Sequence, residues 1–491
     1  MGLIAGDRHR IFHAPTFQTE YRQYWDHPEG ATPDLRHKIL LVIGIGSSLY
    51  PHKDATAAQN NMSLLHQWIY AAQTWLSGPL EKDRLDIVGL QIYCLTVLAR
   101  QIFSIGGDTV WISMGSLVSR AMQIGLHRDP KHLPPMSVLQ AEIRRRLWAT
   151  ILELVVQSSL DAWMPPRISL RESDAEPPSN INDSEMDEST AELQPHPKHT
   201  VTSTSLQLAL MDSMPTRLQM VELLNGLRTE LSYRRALSLT SELTSALKIH
   251  NTLFAPHNST PFQRNYLDYL VRRFLIPLHY PFSQQARTNP LFQTSAKLSL
   301  DTALALISPE PEPNDDGSKF SRLICLGGGL FREGFRCAMT AITLELLAHI
   351  ETQRRDGSLH RTRQYRDFLV GIVRELLGIA ERRIRSGETN VKSHMFLSIV
   401  LAQVDAVERG GPVEMEVARA MRDSLEFCER LLSEKAAGID WEYSVRSSRS
   451  PDGDGVVLGG GGLADLDQGF GFQVADGDFD WNVFFTNESL C

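Results

Sequence analysis

Cysteine is scarce in this sequence of 491 residues, and the five thiols at 94, 325, 337, 428 and 491 form no Cys-x-x-Cys pair. That spacing excludes a disulfide framework and a zinc cage, and it suits a reducing compartment. Long apolar runs are lacking too. The longest, Ile39 to Gly46, falls far short of the roughly 20 residues that a membrane-spanning helix needs, so no membrane partner is expected. His9, Arg10 and His13 interrupt the stretch where an export signal would need continuous apolar residues. Strand-like alternation is absent, as are His-Glu-x-x-His, Gly-x-Ser-x-Gly and the phosphate-cradling Gly-Lys-Ser/Thr. Gly327-Gly328-Gly329 lacks that last completion, and Gly44-Ile-Gly46 would need a third glycine where Leu49 stands to be a dinucleotide loop.

Positive charge is missing from one place in particular. From Ser450 to Cys491 there is no Lys or Arg, and eight acidic residues carry −8 of the formal −9, leaving −1 for residues 1–449. A nearly neutral body lacks the excess of Lys and Arg that autonomous DNA binding requires. In the tail, Phe470, Phe472, Phe479, Trp481, Phe484 and Phe485 place six large aromatics within 16 residues, interleaved with acids and glycines. Charge repulsion in such a disordered segment keeps hydrophobes exposed for a partner's groove, the composition of an activation segment that meets transcription coactivators.

What is present is helical periodicity. Apolar residues recur every three to four positions across 60–76, 85–105, 111–126, 206–253, 330–353, 359–385, 393–409 and 413–435, with Gly and Pro as punctuation. Phe17, Tyr21 and Tyr24/Trp25 share one face of a short helix opened by Pro15. Ser137 with Gln140, and Thr260-Pro261 with Gln263, have the form of capping boxes. Pro277 is expected to kink or end the helix begun at Thr260. The prediction is an all-α fold, a large irregular multi-helix regulatory domain over 1–440, followed by a disordered acidic tail at 441–491. Segments 165–205, rich in Pro, Ser, Thr, Asn and Asp, and 308–318, with Pro-Glu-Pro-Glu-Pro, are expected as flexible linkers. The arginines at 354, 355, 361, 363 and 366 fit a solvated helix face better than a nuclear-import or phosphate patch.

Several segments in this order resemble the fungal-specific transcription factor domain, the middle homology region of fungal zinc-finger regulators. They are His13-Ala-Pro-Thr-Phe with Tyr21 and Trp25, Trp111, Ile124-Gly-Leu-His127-Arg128-Asp129-Pro130, Glu142-Ile-Arg144-Arg145-Arg146-Leu-Trp148, Pro177 to Asp183, Leu278-His-Tyr-Pro-Phe282 and Asn289-Pro-Leu-Phe292. The resemblance covers roughly 9–435. Gln157 to Asp161 and Met164-Pro-Pro166 look most like members with two-Cys, two-His fingers, rather than a binuclear zinc cluster. It implies a nuclear regulator of RNA polymerase II target genes, not an enzyme, with no cofactor in this chain and zinc only in a finger module that the sequence lacks. DNA is then reached indirectly, through an absent upstream module or a finger-bearing heterodimer partner. Homodimerisation and a small-molecule effector are the other expected controls. His127, Arg128, Asp129, Pro130, Arg144, Arg145, Arg146 and Trp148 are the motif positions, expected as corner and core elements that pair internally. A helical scaffold paired with a finger-bearing relative, or a helical enzyme with dispersed catalytic groups, are the competing readings.

Overall fold

The computed structural model describes residues 10–52, 55–312, 318–326, 329–361 and 363–437. Among the described residues there are sixteen α-helices and no strand. In order they are α1 (Ala14–Asp26), α2 (Pro33–Ser47), α3 (Ala55–Ser77), α4 (Ile87–Phe103), α5 (Val110–Gln123), α6 (Val138–Ala162), α7 (Ser205–Asn225) and α8 (Tyr233–Leu253). Then follow α9 (Pro261–Arg272), α10 (Leu275–Gln285), α11 (Gln293–Ile307), α12 (Lys319–Cys325), α13 (Gly329–Arg355), α14 (Arg363–Ser386), α15 (Lys392–Arg409) and α16 (Val413–Ala437). The expected all-α class is what the chain adopts. The aromatic tail positions Phe470 to Phe485 lie outside the described residues.

Two helices form the axis of the core. In α4, 14 of 17 residues are buried, and in α6 every residue from Arg146 to Leu160 is. A helix apolar on most sides needs neighbours on most sides, and α4 receives α2, α3, α5 and α13 while α6 receives α5, α7 and α13. Most polar groups that α6 carries inward are paired, the Ser159 hydroxyl being an exception. Glu153 accepts two bonds from Arg217 on α7, both 2.8 Å, and Gln157 Nε2 donates to the Leu270 carbonyl at 2.9 Å. Gly44 of α2 serves close packing, since a Cβ there would lie 2.8 Å from Leu65 Cδ1 and 3.5 Å from the Trp68 ring, whereas Gly46 meets nothing within 4 Å.

Local chemistry sets the ends of the helices. Thr260 and Gln263 form the reciprocal capping box of α9, whereas at α6 Ser137 Oγ accepts from the Gln140 N–H at 3.2 Å without the return bond being needed. Gly125, at φ +74°, closes α5 with N–H bonds from Gly125 to Met122 O and from Leu126 to Ala121 O, the doubled pattern that a left-handed residue permits. The expected break near Pro277 occurs earlier, between Arg272 and Leu275, and Pro277 occupies the first turn of α10, where its missing N–H costs nothing. The single periodic run 206–253 is cut by Gly226 into α7 and α8.

The two expected linkers carry hydrogen bonds of their own. Residues 165–205 have no α-helix up to Thr204, and side chains tie their backbone. Asn180 Nδ2 donates to the carbonyls of His196, Pro197 and Thr200, and Thr204 Oγ1 donates to Ser179 O at 2.8 Å. Short polar side chains that disfavour helices supply substitute partners for the backbone, so the composition that reads as a loop also fastens it. Of 308–318, the described part is fixed as well: Asn265 exchanges two bonds with the Glu310 backbone, at 2.8 and 2.9 Å.

Candidate functional site

The motif positions converge on the 165–205 strap. Asp129 is fully buried and accepts from Arg145 Nε and Nη2, both at 2.9 Å, and from the N–H groups of Lys131 and Glu176. Burial opposes its charge, but the Arg145 bonds and the two N–H groups outweigh that and hold the carboxyl well below the usual carboxylate range. The His127 carbonyl accepts from Ser173 Oγ and the Asp174 N–H, and Trp148 Nε1 donates to Ser173 Oγ at 3.0 Å. Arg144 Nη2 covers the Ile124 carbonyl at the end of α5 at 2.6 Å. Pro130 is buried at the start of a short 3-10 turn. Arg128 is the exception, exposed and paired with Asp174 at 3.2 Å.

A second clamp sits beside the first. Asp183, on the strap, accepts from Arg146 Nη1 at 2.6 Å, Arg10 Nη1 at 3.1 Å and the Ala14 N–H at 2.9 Å. Burial works against its ionisation, and the two guanidiniums still keep its carboxyl below the ordinary range. Arg146 reaches back to Glu142 at 3.0 Å, and Glu142 accepts the Ser179 N–H. Most motif positions thus bond to the strap or to the end of α5, and Arg128 is the exposed one.

Elsewhere a cavity of about 1090 Å³ opens between the start of α5, the end of α6, and α10, α11 and α13. Trp111, Trp163, Ile276 and Pro277 give it apolar walls, while Gln101, Asp161, Arg287, Ser299 and Arg336 supply polar ones. At its floor Asp161 pairs with Arg273, and burial pushes the Asp161 carboxyl up to about 6, with Arg273 pulling the other way. Cys337 is likewise pushed up by burial, to about 11, which makes its thiol a poor nucleophile. Trp163 ends α6 in the left-handed region at φ +53°, a conformation rare for a bulky residue. Its ring is fixed there by an Nε1 bond to Glu333 at 3.1 Å and by the Arg336 guanidinium 5.7 Å from its centroid.

Only parts of this cavity were legible beforehand. Trp111, Asp161 and Met164 fall in segments that carried the resemblance, but Gln101, Arg287, Ser299 and Arg336 lie on four other stretches, with no shared spacing. Among the described residues no three His, Cys, Asp or Glu side chains converge as a metal site would require, and no helix is long and apolar enough to cross a membrane.

Comparison with known proteins identifies this architecture. The family description "Fungal specific transcription factor domain" matches residues 7–259, just over half of the chain. The chain belongs to that family. It is 47% identical to transcription factor asR3 of Sarocladium schorii over 98% of its own length and 60% of that protein. It is 29% identical to the aspyridones cluster regulator apdR of Emericella nidulans over 84% of its own length and 57% of that protein. The Zn(2)-C6 fungal-type transcription factor mpsB of Macrophomina phaseolina is 26% identical over 70% of this chain and 48% of its own length. The chain therefore spans about half to three-fifths of these relatives. No solved structure matches it. As a member of the fungal transcription factor family, it has its motif residues in clamps that hold the domain's strap, and its cavity draws walls both from the matched part (α5, α6) and from the helices after it (α10, α11, α13).

Proposed function

We propose that this chain is the regulatory part of a nuclear transcription factor that controls the genes of a biosynthetic cluster. The observation that carries this reading is the alignment with asR3, which runs through nearly the whole chain rather than one motif; the name of apdR supplies the cluster. The helical body is the controlling unit, and the acidic, aromatic segment 441–491 engages coactivators. DNA is read by a zinc module of the whole protein or of a partner. The near-neutral body and the unpaired cysteines support that division. The Zn(2)-C6 description of mpsB favours a binuclear cluster over the two-Cys, two-His fingers suggested by 157–166. Catalysis plays no part in this reading.

Deleting the gene and sequencing transcripts tests the proposal. A coordinated fall in a set of neighbouring biosynthetic transcripts is expected, and an unchanged transcriptome would sink it. Fusion of 441–491 to an unrelated DNA-binding module isolates the tail, for which reporter activity above background is expected and background activity would refute the activation role.

A further inference from the structure

Two buried polar groups on the cavity lining each have an atom without a partner. Gln101, on α4, is 3% exposed and its Oε1 has no partner; Ser299, on α11, is 5% exposed and its Oγ has none. Both line the cavity. Leaving a buried polar atom unsatisfied costs about 1–3 kcal/mol, so each of these two lining atoms is a point where a ligand's hydroxyl or amide would be bound. Elsewhere the wall is aromatic and aliphatic, at Trp111, Trp163 and Ile276. A volume near 1090 Å³ stands at the upper end of the roughly 300–1,000 Å³ typical of small-molecule sites.

The charges around this space are unequally spent. Asp161 is held by Arg273, Arg336 by Glu333 and Glu351 by Arg355, while Glu345 is turned to the Tyr365 hydroxyl at 3.1 Å. Arg287 is exposed and so stands at the mouth. Its bond is to a backbone carbonyl, Leu344 O at 3.2 Å, and no carboxylate pairs with it among the described residues. We infer that the cavity binds an elongated, mainly apolar organic acid, with a hydroxyl or amide at Gln101 or Ser299 and its carboxylate at Arg287. As an effector of the proposed regulator, the ligand's role rests on that reading; the binding itself rests on the cavity alone. Because the walls come from α5 and α6 on one side and α10, α11 and α13 on the other, an occupant ties the family-matched part to the helices beyond it and stabilises the folded chain by mass action.

Calorimetric titration of the full chain with dodecanoate, dodecan-1-ol, dodecyltrimethylammonium and ω-hydroxydodecanoate, all below micelle formation, tests this. Dodecanoate binds one to one, the alcohol more weakly and the cation not at all; the ω-hydroxy acid binds about tenfold tighter than dodecanoate, the worth of one satisfied buried hydrogen bond. Ser299→Ala together with Gln101→Ala removes that tenfold gain. Arg287→Glu, at an exposed position, weakens dodecanoate about fivefold and leaves the alcohol and the unliganded melting temperature unchanged. Ala296→Trp places an indole in the cavity and weakens binding of the acids and the alcohol alike, and if it also lowers the melting temperature, the Arg287→Glu selectivity decides instead. Equal dodecanoate affinity for wild type and Arg287→Glu, equal affinity for the two acids, or no binding overturns the proposal. Binding with the expected selectivity alongside an unchanged transcriptome on gene deletion would uphold the pocket and remove the regulator reading; the reverse pair would remove the pocket alone.

Discussion

The strap clamps and the cavity are made of the same materials, buried arginines, carboxylates and a tryptophan, but they are finished differently. At Asp129 and Asp183 each carboxylate meets a guanidinium and backbone N–H groups, and both carboxyls are held below their ordinary range. At the cavity a carboxyl is raised, a tryptophan backbone is left-handed, and two buried side chains lack partners. Unpartnered buried atoms occur in both regions, His127 Nδ1 and Arg144 Nε among the motif residues and Gln101 Oε1 and Ser299 Oγ at the cavity, so the contrast lies in the carboxyls, depressed in the clamps and raised at the cavity. Most motif side chains bond within the corner and the strap, while the cavity draws its lining from residues inside and outside the resembling segments.

The largest break in this contrast is Asp183→Ala. It takes the carboxylate from Arg10 and leaves Arg146 with Glu142 alone, and with side chains 2% and 1% exposed this should cost about 3 kcal/mol in urea unfolding, as breaking a buried pair from one side does. A loss below about 1 kcal/mol would show that the strap is not locked there. Next comes pH. Asp161, raised in the folded state to about 6 from about 3.9 unfolded, binds its proton more readily when folded. Its favourable contribution is present below about pH 4 and is lost as pH rises to about 6, a swing of about 2–3 kcal/mol. Asp129, depressed on folding, contributes above about pH 4 and loses that contribution only as acid titrates its lower folded value. Melting curves should show Asp161→Asn flattening the profile between pH 4 and 6 and Asp129→Asn flattening it below that; the same effect from both variants would erase the distinction.

Smaller effects sharpen the same line. Trp163→Phe removes the bond to Glu333 and should cost about 1 kcal/mol in thermal unfolding, while weakening dodecanoate by calorimetry if the wall is as described. Arg128→Ala, a motif position whose ion pair with Asp174 is solvent-exposed on both sides, should change stability by at most about 1 kcal/mol. A larger loss would mean that the corner acts through this residue as well.

How much of this was legible in the sequence follows from range. The cap at Thr260–Gln263 and the helical runs such as 85–105 and 393–409 are local features, and residue type and periodicity showed them. The strap reads locally as a linker because Asn180, Thr202 and Thr204 lower helix propensity, while the bonds that tie it, from Asn180 to His196 and Thr200 and from Thr204 to Ser179, span 16 to 25 residues. The cavity is further still from view: Gln101 and Ser299 are separated by almost two hundred residues, and neither is unusual until the fold removes its water.

Two of the eight tryptophans, Trp111 and Trp163, border the cavity, and each has an arginine over its ring: Arg167 at 4.1 Å and Arg336 at 5.7 Å. A guanidinium that close shifts indole emission. Anything that enters and moves either arginine will change the colour of the protein's own fluorescence, which gives the cavity an optical readout without a label.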